Sequence, residues 1–299
     1  MNRGFEYRER VPRLDGESTL VDYLSARYDH STRSQWEERV GRGQVTLDGA
    51  PAAPEQVLRG GESLTWHRPP WTEPDAPLSY AVLYRDEDVL GVAKPRGLPT
   101  LPGAGFLQNT LLWIVRRQYS DASPAHRIGR GTTGVVVFAA NKESRSPLQV
   151  AWAGRTVLKR YVAVIQGRPA LNAFDVDQPI GRVPHPRLGS VHAATPGGRP
   201  SRTRIRVVER REGETLVEAE LDTGRPHQIR IHLAAAGHPI VGDALYAVGG
   251  GIISGDPALP GEPGYWLHAS CVEFPHPRSG GRVRIDCVPP PRLRSGAAR

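Results

Sequence analysis

Apolar residues along this chain follow two periods. Leu20, Val21, Tyr23 and Leu24 lie three and four apart behind Ser18 and Thr19, either of which can cap a helix running toward Tyr28. Trp36 and Val40 repeat the spacing, ended by Gly41 and Gly43, and Leu111, Leu112, Ile114 and Val115 give a third helix over residues 110–119. Elsewhere the period is two, or the run is continuous. Gln44–Gly49 alternates and closes on the turn pair Asp48-Gly49. Val82–Tyr84 and Val89–Ala93 flank an acidic turn, and Val135–Ala139 is an unbroken β-rich run that reads as a buried strand. Lys159–Gly167 is a further strand, while Thr203–Val208 and Thr215–Leu221 alternate as an antiparallel pair around Glu212-Gly213. Residues 175–200 read as irregular loop or short hairpin. This pattern predicts an α+β chain whose large sheet is mixed or antiparallel and flanked by helices.

The pattern also divides the chain. Residues 1–16 are polar and expected to be loosely ordered. A small α/β module follows over 17–68, then a proline-rich linker at 69–77. A large domain fills 78–292, and a polar tail is expected at 293–299.

Composition adds a partner. The net charge of +8 and the pI near 9.9 suit a ligand bearing phosphates. Only Lys94, Lys142 and Lys159 are lysines, so arginine carries nearly all the positive charge; genome base composition explains such a bias equally well. Arginine nevertheless suits forked phosphate contacts and stacking on bases. Cys271 and Cys287 show no metal-ligand spacing and no bridge framework, which favours a reducing compartment. No apolar run approaches the roughly 20 residues that span a bilayer, and the N-terminal segment lacks an apolar signal core. The expectation is a cytoplasmic monomer with no membrane contact.

Five separated segments then stand out in order. They are Lys94-Pro95-Arg96-Gly97; His126-Arg127-Ile128-Gly129-Arg130-Gly131-Thr132-Thr133-Gly134; Lys159-Arg160-Tyr161; Thr223-Gly224-Arg225-Pro226-His227-Gln228-Ile229-Arg230; and Gly237-His238-Pro239-Ile240-Val241-Gly242-Asp243. Leu267-His268-Ala269 to Pro277 closes the series. Together they resemble the RluA-type RNA pseudouridine synthases over residues 80–290. The first module, with its two helices, its Gln44–Gly49 strand and its Gly61-Glu62-Ser63-Leu64, resembles the S4 RNA-binding module that often precedes them; an ordinary α/β cap is the plainer alternative.

The resemblance implies isomerisation of specific uridines in ribosomal or transfer RNA, with no cofactor, metal or nucleotide. Breaking the bond from uracil N1 to ribose C1′ and rejoining through C5 requires an extruded base, a carboxylate beside C1′, a cation to pair with it, and an acceptor for the C5 proton. It implies that Tyr161 stacks on the base and takes that proton. It makes Arg225 the cation, puts Arg127 into the gap left in the RNA, and leaves His126 bracing the loop. Arg130 and Arg230 are expected on phosphates, with Thr132 and Lys159 in the same RNA-binding set. One departure dominates. Where the family keeps its catalytic aspartate this chain has Gly129, and Gly131 follows two places on. Either another carboxylate enters the site, Asp222 being preferred over Asp121 against its plainer reading as a turn residue, or the chain binds RNA without modifying it. A third reading, a metal hydrolase built on His227, His232, His238 and Asp243, is opposed by spacing. Helical residues five apart point about 140° from each other, and the inward four-residue stripe is Ile229 and Leu233.

Overall fold

The computed structural model describes residues 1–28 and 30–296. Residue contacts divide the chain into two units, residues 1–73 with 185–189 and residues 74–184 with 190–299. The division after Glu73 falls inside the proline-rich stretch.

The first unit holds β1 (Phe5–Arg10), α1 (Leu20–Arg27), α2 (Arg33–Gly41), β2 (Val45–Leu47), β3 (Ala50–Pro51) and β4 (Ser63–Arg68). Thr19 caps α1 by accepting from the Asp22 amide, and Thr32 with Gln35 forms a reciprocal capping box on α2. Asp48 and Gly49 both take positive φ (48° and 84°), the turn conformation that joins β2 to β3. Residues 1–16 were expected to be loosely ordered, and this needs correction. Phe5–Arg10 pairs along the whole of β4, from Phe5 opposite Arg68 to Arg10 opposite Ser63, and Tyr7 stacks on Trp66 at 5.2 Å. An open β4 edge and an aromatic partner outweigh the polar composition of the segment.

The second unit carries β5 (Ala81–Arg85), β6 (Val89–Lys94), α3 (Leu111–Arg116), β7 (Ser123–Pro124), β8 (Thr133–Ala139) and α4 (Arg145–Ala153). It continues with β9 (Leu158–Gln166), β10 (Ala173–Val176), the hairpin β11 (Ile180–His185) and β12 (Gly189–Ala194), β13 (Thr203–Arg210) and β14 (Glu214–Leu221). Last come α5 (Gln228–Ala235), β15 (Leu267–Pro275) and β16 (Arg282–Asp286). Ten of these strands form one mixed sheet whose main path runs β10-β13-β14-β9-β15-β8-β6-β5. Its pairs are antiparallel except where β15 meets β8.

Alternation along β8 builds two cores. Val136 and Phe138 face the cluster completed by Leu111 and Val115 of α3 and by Ile229 and Leu233 of α5. Val135 and Val137 face the opposite cluster with Leu148 of α4, Phe274 and Ile285. Burial on both faces explains why β8 is a continuous apolar run rather than an alternating one. The helix expected over 110–119 is shorter, with Thr110 as its cap and its last helical residue at Arg116. Of the tail expected at 293–299, Leu293 is buried, and residues 297–299 lie outside the described residues.

Candidate active site

Two segments hold the loop that leads into β8. Lys94, almost fully buried, donates from Nζ to the carbonyls of Pro95 (2.8 Å), Leu98 (2.8 Å) and Arg130 (3.3 Å). Burial, and then Arg96, pull its ammonium down to about 7. Thr100 Oγ1 donates to the Ile128 carbonyl at 2.8 Å, and the Gly97 amide donates to that of Arg130. His126 braces the other end, accepting at Nε2 from the Val137 amide (3.1 Å) with its ring stacked on Trp152. Burial, and then Lys159, hold this imidazole far down, at about 3, so it stays neutral.

Gly134 explains how β15 reaches β8. It takes φ +111°, and a Cβ there would lie 2.1 Å from the Ala269 carbonyl oxygen, so only glycine lets the two strands meet. His268 fixes the contact. Its Nδ1 accepts from the Thr133 hydroxyl at 2.7 Å while Nε2 donates to the Cys287 carbonyl.

Below the loop is a cavity of about 290 Å³. Arg127, Ile128, Gly129 and Thr132 supply one wall, Tyr161 of β9 the floor, and residues 224–230 the facing wall, with Leu221, Tyr265 and Leu267 closing it. Tyr161 fits because its neighbours across both ladders are alanines, Ala219 on β14 and Ala269 on β15. It is 8% exposed, and burial pushes its phenol up to about 12, so it is neutral at physiological pH. Arg225 sits in a corner held by Gln228. That amide accepts from the Arg225 amide (3.0 Å) and the Thr223 hydroxyl (2.8 Å), and donates to the Arg202 carbonyl and Thr203 Oγ1. The Arg225 guanidinium makes one long hydrogen bond, to the Pro200 carbonyl at 3.4 Å, and its buried Nε has no partner. Among the described residues no carboxylate pairs with it.

The structure therefore brings Tyr161, Arg225, Gly129, Arg127 and Thr132 to one cavity. Lys159, two residues before Tyr161 on the same face of β9, lies beside the Gly224 corner. Arg130 is fastened to the Gly261 carbonyl at 2.6 Å and lies over Phe106. Arg230 requires correction as a phosphate contact. It is 3% exposed, forms a forked pair with Asp243 (2.6 and 2.8 Å) and covers the Tyr265 ring at 4.1 Å. A guanidinium so buried and already neutralised by a carboxylate is not offered to an RNA phosphate.

The substitute carboxylates also need correction. Asp222 does not line the cavity and pairs with Arg204 (2.7 Å) and Arg202 (3.8 Å) at the end of β14. Asp121 is exposed beside Arg145. No aspartate or glutamate lines the cavity wall. The histidines are individually engaged: His227 Nδ1 donates to the Tyr246 hydroxyl, while His232 and His238 donate to the carbonyls of Gln178 and Gln166. Among the described residues no three metal-ligating side chains converge.

Sequence reasoning missed Tyr265, Lys94 as the loop brace, and Gln228 as the corner clamp. Tyr265 left one trace, a pair of glycines that must make room for something large.

An aromatic floor with arginines along the wall and rim defines a site that receives a planar base from a phosphate-bearing polymer. The comparisons agree. Residues 88–235 match the family model described as RNA pseudouridylate synthase. An uncharacterised RNA pseudouridine synthase of Synechocystis is 39% identical over 276 residues, covering 92% of this chain and 95% of the relative. RNA pseudouridine synthase 5 of Arabidopsis thaliana is 34% identical, covering 99% and 95%. Among solved structures, human RNA pseudouridylate synthase domain containing 1 superposes with a TM-score of 0.58 at 25% identity, over 75% of this chain and 90% of that one. The chain belongs to the RNA pseudouridylate synthase family, which are isomerases.

Proposed function

We propose that this protein isomerises specific uridines to pseudouridine in structured RNA, ribosomal or transfer, in the cytoplasm. The observation that carries this is the convergence of Tyr161 and Arg225 on one cavity. In this reading the extruded uracil stacks on Tyr161, whose neutral hydroxyl accepts the C5 proton as it passes its own onward. Arg225, which lines the cavity with no carboxylate beside it among the described residues, binds the charge that builds on the base as C1′–N1 breaks. Arg127, exposed at the rim, occupies the gap in the RNA, and Lys159 and Arg130 contact its backbone. The module at 17–68 binds RNA in the manner of an S4 unit.

Transcripts carrying C5-tritiated uridine test this, because each turnover releases one tritium. Release is expected from the wild type and is expected to fall by about a hundredfold or more in Arg225→Ala, the cost of deleting a preorganised charge donor. It should also fall in Tyr161→Phe. A second reading, RNA binding without turnover, is favoured by the absence of any carboxylate from the cavity wall. No release from any cellular RNA pool, with tight RNA binding retained, would select it.

A further inference from the structure

The side chain that residue 129 lacks has its space filled from elsewhere. A Cβ on Gly129 would lie 2.9 Å from the Tyr265 hydroxyl oxygen. A Cβ on Gly131 would lie 2.9 Å from Cε1 and Cζ of the same ring. Neither glycine has positive φ, so it is this phenol, and not backbone conformation, that excludes a side chain at either position. Tyr265 reaches the spot from the segment leading into β15 and is 2% exposed. Its carbonyl is held by Arg96 Nη1 at 2.8 Å, its hydroxyl lies 3.2 Å from Thr132 Oγ1, and its ring is covered by the Arg230 guanidinium. Arg230 is itself fixed by Asp243, so the ring is clamped.

The cavity wall offers three hydroxyls and no carboxylate. Thr132 is an aliphatic alcohol, far less acidic than a phenol. Tyr161 forms the aromatic floor between two alanines and has no cation over its ring. Tyr265 alone combines a phenol, a clamped ring, an adjacent cation and the position of the missing side chain. Tyrosine is an established covalent nucleophile at sugar carbons.

We propose that Tyr265 is the nucleophile of this site, its phenolic oxygen attacking C1′ of the target uridine from the place a residue-129 side chain would take. This rests on the reading of the chain as a uridine isomerase. As Oη bonds to C1′, the C1′–N1 bond breaks, its electron pair goes to the uracil, and the phenol proton passes to N1. The released uracil turns, C5 attacks C1′, and the C1′–Oη pair returns to oxygen as phenolate. The C5 proton then passes through the Tyr161 hydroxyl to that phenolate. One proton has moved to N1 and one has left C5, so uridine becomes its isomer with no other reactant. The Arg230 guanidinium, 4.1 Å over the ring, keeps the phenol in place through both displacements.

Tyr265→Phe removes one oxygen and keeps the ring under Arg230. The test compares it with wild type by single-turnover tritium release at saturating transcript, by filter binding of the same transcript, and by thermal melting. The expected result is release lowered about a thousandfold or more, RNA affinity within about threefold of wild type, and a cooperative melt. Release by wild type, with release by Tyr265→Phe within about tenfold of it, overturns the assignment of Tyr265 and leaves the isomerase reading intact. No release by wild type removes both. If Tyr265→Phe melts without cooperativity, wild type incubated with a 5-fluorouridine transcript serves instead, because C5 then carries no proton to lose and the reaction stalls: an RNA-linked peptide that mass spectrometry maps to Tyr265 supports the assignment, and a link at another residue, or none, overturns it.

Discussion

The claim that Tyr265 excludes side chains at 129 and 131 has a quantitative consequence for stability. Gly129→Ala places a methyl 2.9 Å from Tyr265 Oη and 3.5 Å from Thr132 Oγ1. The phenol is clamped between Arg96, Thr132 and Arg230, so it yields little, and overpacking of this kind costs about 1–3 kcal/mol. Against this, alanine at an ordinary φ restricts the unfolded chain and returns about 0.4–1 kcal/mol. The net cost is therefore about 1.3 kcal/mol at the middle of both ranges and at most about 2.6 kcal/mol. Tyr265→Phe deletes the clashing atom and by itself loses the Thr132 hydrogen bond, about 1 kcal/mol. In that background the nearest remaining neighbour of the new methyl is Thr132 at ordinary contact distance, so Gly129→Ala becomes neutral or slightly stabilising. The two substitutions therefore couple by about 1–3 kcal/mol. Gly131→Ala is the control. Its methyl meets the ring carbons Cε1 and Cζ at 2.9 Å, which phenylalanine keeps, and Oη at 3.1 Å, so most of its cost persists in both backgrounds. Urea denaturation of the two cycles measures both couplings. Equal costs for Gly129→Ala in the two backgrounds would refute the packing argument, as would full relief of Gly131→Ala by Tyr265→Phe.

Two further outcomes follow from burial and charge. Asp243→Asn leaves the Arg230 guanidinium buried without its counter-charge and is expected to cost about 3–5 kcal/mol by denaturation; a loss below about 1 kcal/mol would mean the pair is open to water. His126 and His227 are both held at about 3, chiefly by burial, against an unfolded value near 6.5. Between these values the unfolded chain binds protons the folded chain refuses, so their contribution is complete above about pH 6.5 and is lost toward pH 3, at about 1.4 kcal/mol per unit for each. His126→Gln should flatten that acid slope in a melting-temperature series, and an unchanged slope would show that this ring titrates freely.

The sheet was legible because its strands announce themselves by period and burial. Val135–Ala139 reads as a core strand and is one; Thr203–Val208 and Thr215–Leu221 pair as their alternation requires. β1 was not legible, since Phe5–Arg10 is polar on its face and is ordered by an edge sixty residues away, which no local window contains. At the site, motif spacing named Tyr161 and Arg225 because each sits inside a run of recognisable neighbours. Arg230 misled: a guanidinium in a basic motif reads as a phosphate ligand until Asp243 is seen to meet it in a buried fork. Asp222 misled in the opposite direction, since nearness in sequence to Arg225 says nothing about the Arg202 and Arg204 side chains that hold it.

Tyr265 is the instructive omission, and the reason is geometric. A tyrosine between glycine and tryptophan in a loop carries no periodic signal, and its partners at 129 and 131 are residues without side chains. The interaction exists as a volume, written in one segment as a large ring and in another as two hydrogens. The same accounting applies to charge. Arg230 is buried with one carboxylate, and that pair is complete. Arg225 faces the cavity without one, and its Nε has no partner. A half-buried guanidinium with no carboxylate beside it among the described residues keeps its charge available to an anion that arrives with the substrate or forms during the reaction. A neutral phenol leaves that charge available for the anion that develops on the departing base, so glycine at 129 and tyrosine at 265 form one device, and the paired substitutions test it as one.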